Sequence, residues 1–252
     1  MARKLTILAG IALLIITVMM TLVGPGNVTG MPEGFVTPIM AFEFLRSPQE
    51  VYSMFDITLQ ESTTGIVPAC QALTSEASYR IATLDAINHL DSGYILAYTA
   101  FIVFLGSMRF GSNRKGLSIV WILAVLAMVF DILENIALLG ITEALNYCLV
   151  WSENQNGPAI IENWVHLLIP FTHIKWASIG LAFLWMVRAD APESSLALWS
   201  RRASIAFALL ALIFLVVGMF HRSFVNELMG LCVALCFLTS FIEAIFNKAA
   251  SR

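Results

Sequence analysis

The sequence predicts an all-α integral membrane protein of 252 residues that forms a single membrane domain with six transmembrane helices. Two observations support this fold class. Of the residues, 59% are hydrophobic and only 12% are charged, whereas a soluble domain carries about 25% charged residues. The apolar residues also fall in runs of about twenty, the length that crosses the hydrocarbon core of a bilayer. Zinc-finger spacings and basic clusters are missing from the sequence, so we expect no nucleic-acid partner.

Six segments qualify as spans, and they cover residues 5–23, 92–108, 117–140, 164–187, 203–220 and 228–246. The lipid bilayer is therefore the first expected partner, and other membrane proteins are further candidate partners. The first could be read as a signal peptide, but its apolar run is too long and "VGPGNVTG" is a poor cleavage site. The second is short unless the helical pattern that begins near Thr74 continues into it.

Basic residues predict the orientation of the spans. With the N-terminus inside, the cytoplasmic segments hold ten Lys and Arg residues and the outer segments hold three. Since positively charged loops stay in the cytoplasm, this bias predicts that both termini are cytoplasmic. The ten are Arg3, Lys4, Arg109, Arg114, Lys115, Arg188, Arg201, Arg202, Lys248 and Arg252, and the three are Arg46, Arg80 and Arg222.

Residues 24–90 are expected to form a partly helical extracytoplasmic loop that acts as a cap. Thr37 followed by Pro38 is a typical helix start. Ser47, with Pro48 and Glu50 after it, predicts a second start with a capping box. The residues between the two starts are too apolar for a freely solvated helix, so we expect them to lie on the membrane surface or over the ends of the spans.

Two acids lie inside the third span, in the stretch "VFDILENIALL". Asp131, Glu134 and Asn135 are spaced i, i+3 and i+4, so they share one face of a helix. An acid at the centre of a span costs about 2.5–3.5 kcal/mol on insertion scales. The stripe therefore requires a partner or a polar cavity.

Lys175 is the expected partner, because it is the one Lys or Arg well inside a predicted span. Counted from the outer ends of their spans, Lys175 is eleven residues deep and Asp131 nine, so the two lie at nearly the same depth. His173 is a further candidate, but it points about 200° away from Lys175 around the helix. Asp91 and Tyr98 in the second span complete the predicted buried polar cluster, in which Tyr94 is either a member or an interface aromatic.

Cysteines and histidines add weaker hypotheses. Cys70 and Cys148 lie in the two larger outer loops, where they are either disulfide-bonded or two unpaired small residues. Cys232 and Cys236 are expected to be buried small hydrophobes. His166 and His173 are weak metal candidates, because a metal site needs imidazoles that converge and the spacing of familiar metal motifs is missing. No cofactor and no metal site is expected.

The segments "TPIMAFEFLRSPQE", "DSGYILAY" and "DILEN" resemble small bacterial multi-span inner-membrane proteins that have no assigned activity. The resemblance covers about half of the chain. It implies a bacterial inner membrane as the location, and it carries over no catalytic residues.

Three functions remain open from the sequence. The first is a structural or accessory membrane protein, in which the intramembrane salt bridge fixes helix packing. The second is a proton- or solute-coupled transporter, since intramembrane acids and bases are the usual components of proton relays. The third is an enzyme that acts on a lipid or quinone at the outer leaflet, although the catalytic residues are unknown. Glu243 and Asn247 are expected only to solvate the inner end of the sixth span.

Overall fold

The computed structural model describes the chain except for residues 27, 58, 63–64, 69–73, 147–156, 191, 193, 223 and 248–252. Within the described ranges, six helices are long and apolar enough to cross a membrane, so the chain is an integral membrane protein. In chain order the elements are α1 (Ala2–Val23), α2 (Pro38–Glu43), α3 (Pro48–Met54), β1 (Leu59–Ser62), β2 (Gly65–Pro68), α4 (Ser75–Phe110), α5 (Arg114–Asn146), α6 (Gly157–Trp185), α7 (Ser195–Phe220) and α8 (Phe224–Phe246). A 3₁₀ turn, Met186–Arg188, continues α6.

Helix α4 is much longer than the predicted span over residues 92–108. It runs without a break for 36 residues from its N-cap Thr74, whose side chain accepts a hydrogen bond from Ala77 N. At about 1.5 Å per residue this is roughly 54 Å, well beyond the hydrocarbon core. Residues 75–90, expected in the loop, are therefore the first half of this helix.

The helices pack mainly as neighbours in sequence, with α5 against α6, α7 against α8 and α4 against α5, while α1 lies along α4. Three aromatic rings fill the centre of the bundle. The ring of Phe237 in α8 lies 5.5 Å from that of Phe101 in α4 and 5.0 Å from that of Phe183 in α6. These contacts join α4, α6 and α8 into one core.

Within the predicted loop of residues 24–90, residues 28–57 pack over one end of this bundle. From here on, the name cap refers to residues 28–57. Ser47 caps α3 by accepting a hydrogen bond from Glu50 N, and Glu50 Oε2 accepts one from Arg46 N at 2.8 Å. Between the two helix starts, Phe42, Phe44 and Leu45 are buried, whereas Ile39 and Met40 are only partly buried. The sequence left two places open for these side chains, the membrane surface or the ends of the spans. Their burial shows that they pack over the ends of the helices. The antiparallel pair β1–β2, which the sequence pattern did not predict, follows the cap.

Polar contacts fasten the cap to the turn between α7 and α8. Arg46 donates to Gly218 O at 2.8 Å, which satisfies a carbonyl at the end of α7. Arg222 donates to both carboxylate oxygens of Glu50. Glu227 accepts hydrogen bonds from the backbone and hydroxyl of Thr37, at 2.8–3.0 Å. Thr37 precedes Pro38 at the start of α2, so the sequence suggested that its side chain caps this helix. The side chain instead binds Glu227 of α8 and makes no cap hydrogen bond.

The Glu50–Arg222 pair predicts a stability change in acid. Burial raises the pKa of Glu50, but the hydrogen bonds and charges of Arg222 and Arg46 outweigh burial, so its pKa lies below its usual value. A depressed carboxyl pKa contributes stability that is present above the unfolded-state pKa of about 4.3 and is lost as pH falls through the folded-state value. We expect Glu50→Gln to lower the melting temperature at pH 7 by a few degrees, with the difference from wild type shrinking as pH falls below about 4.3.

Thermal unfolding in detergent between pH 7 and pH 3 measures this effect. Glu33→Gln is the matched control, because Glu33 is an exposed acid of the same cap. A Glu50→Gln deficit that stays constant down to pH 3 would contradict the assignment.

Candidate functional site

A buried ion cluster lies where the cap, α5 and α6 meet, and Lys175 is at its centre. The Lys175 ammonium is 2.5 Å from Glu134 Oε1, 3.2 Å from Asp131 Oδ1 and 3.2 Å from Glu43 Oε2. The Lys175 side chain is 6% exposed and the Glu134 side chain is fully buried. The contact that the sequence predicted between Lys175 and the acids of the third span is therefore present in the structure.

Helix geometry explains why these side chains meet. Asp131 and Glu134 are one turn apart on the face of α5 that packs against α6. Lys175 lies on the facing side of α6 at the same level, so its one ammonium reaches both carboxylates. The equal depth estimated from the sequence is the reason for the contact.

Glu43, at the end of α2, is the member of the cluster that the sequence did not reveal. Its Oε2 also accepts a hydrogen bond from Trp176 Nε1 at 3.2 Å, and its backbone carbonyl accepts one from Thr172 Oγ1 at 3.1 Å. Burial raises the pKa of Glu43, and the charge of Lys175 offsets only part of that effect. The sequence placed Glu43 in an outer loop, where nothing distinguishes it from a solvated acid.

Helix α4 contributes a further polar layer beside the cluster. Asp91 Oδ2 accepts a hydrogen bond from Asn135 Nδ2 at 2.6 Å. Tyr98 is fully buried, and its hydroxyl faces Asp131 without a hydrogen bond of good geometry among the described residues. The Tyr94 ring packs edge-on against the Tyr98 ring at 5.7 Å, which places Tyr94 within the bundle.

The cluster contains more acid than base. Among the described side chains, four carboxyl groups (Glu43, Asp91, Asp131 and Glu134) surround one ammonium. Four buried carboxylates cannot all be charged beside a single ammonium in a medium of low dielectric constant. The excess must therefore hold protons or meet a positively charged ligand.

A cavity of about 190 Å³ adjoins the cluster. Its wall combines the acids and the ammonium with apolar and aromatic side chains from α1, the cap, α4, α6 and α8. It is lined by Thr17, Met20, Thr21, Ile39, Met40, Glu43, Asp91, Tyr94, Tyr98, Asp131, Lys175, Trp176, Ile179, Val233 and Phe237. A water molecule needs only about 15 Å³ of such space, so the cavity accommodates a group much larger than one water.

His173 does not join the cluster, although the sequence included it. Its Nδ1 lies 2.6 Å from Ile169 O of its own helix, and its ring packs edge-on against Phe44 of the cap at 5.7 Å. Two residues along a helix turn the side chain by about 200°, so His173 faces away when Lys175 faces the acids. His166 is exposed beside Glu162, 3.6 Å away. Over the described part of the chain, no three His, Cys, Asp or Glu side chains are arranged to hold a metal ion.

The cysteine hypotheses have different outcomes. Cys232 and Cys236 are free and buried in α8, and Cys236 Sγ donates to Ser204 O at 3.3 Å, as expected of small packing residues. Cys70 and Cys148, the candidate disulfide, lie outside the described residues.

A second buried ion cluster joins α4, α7 and α8 near the opposite end of the bundle. Glu243 Oε2 is 2.5 Å from Arg109 Nη2, and Glu243 Oε1 is 2.8 Å from Arg201 Nη2. The Glu243 and Arg109 side chains are fully buried. The expectation that Glu243 and Asn247 only solvate the end of the sixth span is therefore wrong, since Asn247 is also buried.

The sequence does contain a signal for this second cluster, which is the presence of opposite charges at the ends of several predicted spans. Arg109 and Arg201 were counted only as cytoplasmic charges, and each stands close to the end of its predicted span, as does Glu243. Hydrogen bonds complete this second cluster, because Arg109 Nη2 donates to Ser240 Oγ at 3.2 Å and Ser204 Oγ lies 2.8 Å from Ser240 Oγ. Its members are therefore fixed by packing on three helices.

In comparisons with known proteins, no family model, no curated protein and no solved structure matches the chain.

Removing the negative charge of Glu243 is expected to cause a large loss of stability. Glu243→Gln leaves Arg109 and Arg201 buried without a counter-charge, and breaking a buried ion pair on one side typically costs about 3–5 kcal/mol. We expect a marked fall in melting temperature in detergent, whereas Glu143→Gln, an exposed acid on α5, should leave it unchanged. Equal melting temperatures for the two variants would show that the second cluster contributes little.

Proposed function

We propose that this chain is a structural or accessory multi-pass membrane protein, in which Lys175 fastens the cap to the transmembrane helices. The observation that carries the proposal is the direct contact of one buried ammonium with carboxylates from two separate parts of the chain, Glu43 in the cap and Asp131 with Glu134 in α5. Since Lys175 itself belongs to α6, the cluster links three elements.

The second cluster supports the same role from the other end of the bundle. There Glu243 links α8 to Arg109 of α4 and Arg201 of α7. The two clusters together tie α4, α5, α6, α7, α8 and the cap. Apolar side chains in lipid gain little from helix association, because lipid tails are equally apolar, so buried ion pairs of this kind specify which helices pack together.

Lys175→Met tests the structural role. Loss of the ammonium leaves an excess of buried carboxyl groups with no counter-charge, and it removes the only ionic contact that Glu43 makes among the described residues. We expect a lower melting temperature in detergent and faster backbone hydrogen exchange over α2 than in wild type.

Lys115→Met is the matched control, because Lys115 is an exposed lysine at the start of α5. Unchanged melting temperature and unchanged exchange over α2 in Lys175→Met would refute the proposed fastening role.

Proton- or solute-coupled transport is a second candidate, and the excess of carboxyl groups beside the cavity favours it. Protonatable groups that outnumber their counter-charges are a feature of intramembrane proton relays. The Phe101, Phe183 and Phe237 rings and the second cluster lie between the cavity and the opposite end of the bundle. Transport would therefore require a second conformation in which these contacts separate.

Proteoliposomes that contain a pH-sensitive dye test this candidate. Under an imposed potassium diffusion potential, we expect wild-type protein to admit protons faster than liposomes without protein, and Asp91→Asn to reduce the rate. Asp85→Asn is the control on the same helix, since Asp85 accepts a hydrogen bond from Thr142 and does not line the cavity. Wild-type rates equal to those of empty liposomes would count against proton movement by this chain.

We further propose that both termini are cytoplasmic and that the cap faces away from the cytoplasm, in a bacterial inner membrane. The unequal distribution of Lys and Arg supports this orientation, and the resemblance noted above supports the location. A fluorescent protein that matures only in the cytoplasm, fused after Arg252, should fluoresce in bacterial cells. A dark but fully expressed fusion would reverse the orientation.

A further inference from the structure

Helix α1 is held against α8 in its first half. Arg3 donates to Ala244 O at 2.8 Å and to Ile245 O at 2.6 Å, at the end of α8. Gly10 lies so close to Phe241 that an added Cβ would be 2.3 Å from the ring. Beyond Leu13, however, no residue of α1 is buried. Along the second half of α1, a cavity lined by Thr17, Met20 and Val233 lies between α1 and α8.

Two adjacent cavities, together called the groove here, lie in this region. The 190 Å³ cavity beside Lys175 and a second cavity of about 100 Å³ share Thr17, Tyr94 and Phe237 in their walls. Both are lined in part by exposed residues of the lipid-facing surface, including Thr21 in the larger cavity and Leu238 in the smaller one. Both cavities therefore reach the surface of the bundle between α1 and α8.

The two ends of the groove differ in chemistry. The larger cavity presents the carboxyl groups of Glu43, Asp91 and Asp131 beside the single ammonium of Lys175. Tyr98 also lines this cavity, and its hydroxyl has no hydrogen bond of good geometry among the described residues. The smaller cavity is lined mainly by apolar and aromatic side chains, including Leu13, Phe101, Ala234, Phe237 and Phe241.

We propose that this groove binds a single-chain amphiphile with a cationic ammonium head group, which enters from the lipid between α1 and α8. The ammonium lies beside Asp91 and Asp131, and the aliphatic chain extends along Phe237 toward Phe241. This binding site goes beyond the structural role of Lys175, and it does not depend on whether protons cross the membrane.

Charge and size select this ligand class. A cationic head group supplies the positive charge that the excess of carboxyl groups lacks. Tyr94 and Tyr98 line the same cavity, and aromatic rings attract cations that lie over their faces. An anionic head group would add to the excess negative charge. A cavity of about 100 Å³ beside one of about 190 Å³ provides a narrow path for one chain.

Binding of dodecyltrimethylammonium to the full-length protein in phosphatidylcholine nanodiscs tests the head-group assignment. Protein-free nanodiscs give the background, and an uncharged amphiphile with the same chain gives the contribution of the tail. We expect the cation to bind at least tenfold more tightly than the uncharged compound, and Asp91→Asn to abolish most of that preference. Asp85→Asn, on the same helix but away from the groove, should retain it.

Filling the smaller cavity tests the chain assignment. Ala234 is exposed on α8 and lines this cavity, so Ala234→Phe should occupy the path of the chain and weaken binding at least tenfold. Ala206→Phe, at an exposed alanine of α7, is the control and should bind as wild type. Melting temperatures of all variants, measured in the same nanodiscs, separate lost binding from lost folding.

Three results would overturn the proposal. The first is equal affinity of wild type for the cation and the uncharged amphiphile, which remains decisive even if a variant fails to fold. The second is unchanged binding by a folded Ala234→Phe variant. The third is selective retention of aminophospholipid by wild type but not by Asp91→Asn, which would assign the site to the head group of a two-chain lipid.

Discussion

The position of one ammonium in a low-dielectric interior is the constraint on which the rest of this structure depends. Lys175 lies deep in α6, and an isolated charge there would be too costly to retain. Its charge is compensated by Asp131 and Glu134 from α5 and by Glu43 from the cap, all within 3.2 Å. The arrangement of α5, α6 and α2 around one point follows from this requirement.

The same constraint gives the cap its definite position. A short apolar helix such as α2 packs on many surfaces with similar energy, because hydrophobic contact is not directional. The carboxylate of Glu43 has a more specific requirement, which Lys175 and Trp176 satisfy. Arg46, Arg222 and Glu227 then fix the cap at the turn between α7 and α8. The cap is thus held by directional contacts on both sides of its apolar core.

The two ion clusters differ in what they leave uncompensated. At the second cluster, two guanidinium groups surround one carboxylate. The Ser240 hydroxyl, the Met186 sulfur and the Ala189 carbonyl accept further hydrogen bonds from them. At the Lys175 cluster, the excess is of carboxyl groups and a cavity adjoins it. Salt bridges and hydrogen bonds of this kind are sufficient for helix packing, whereas an acidic excess beside a cavity provides space and charge for a ligand. The Lys175 end of the bundle is therefore the end that suits a ligand.

The sequence by itself determined the membrane class, the six spans and the face of α5 that carries Asp131, Glu134 and Asn135. These features depend on local composition and on the helical repeat, and both can be read from the order of residues in one sequence. It also determined that Lys175 and the α5 acids lie at one depth, because depth follows from counting residues along a helix. Only the tertiary structure decided that Glu43 joins them, that His173 does not, and that Glu243 is buried between Arg109 and Arg201. Those outcomes depend on how distant segments pack and on which way each helix is rotated, and neither follows from the spacing of residues along the chain.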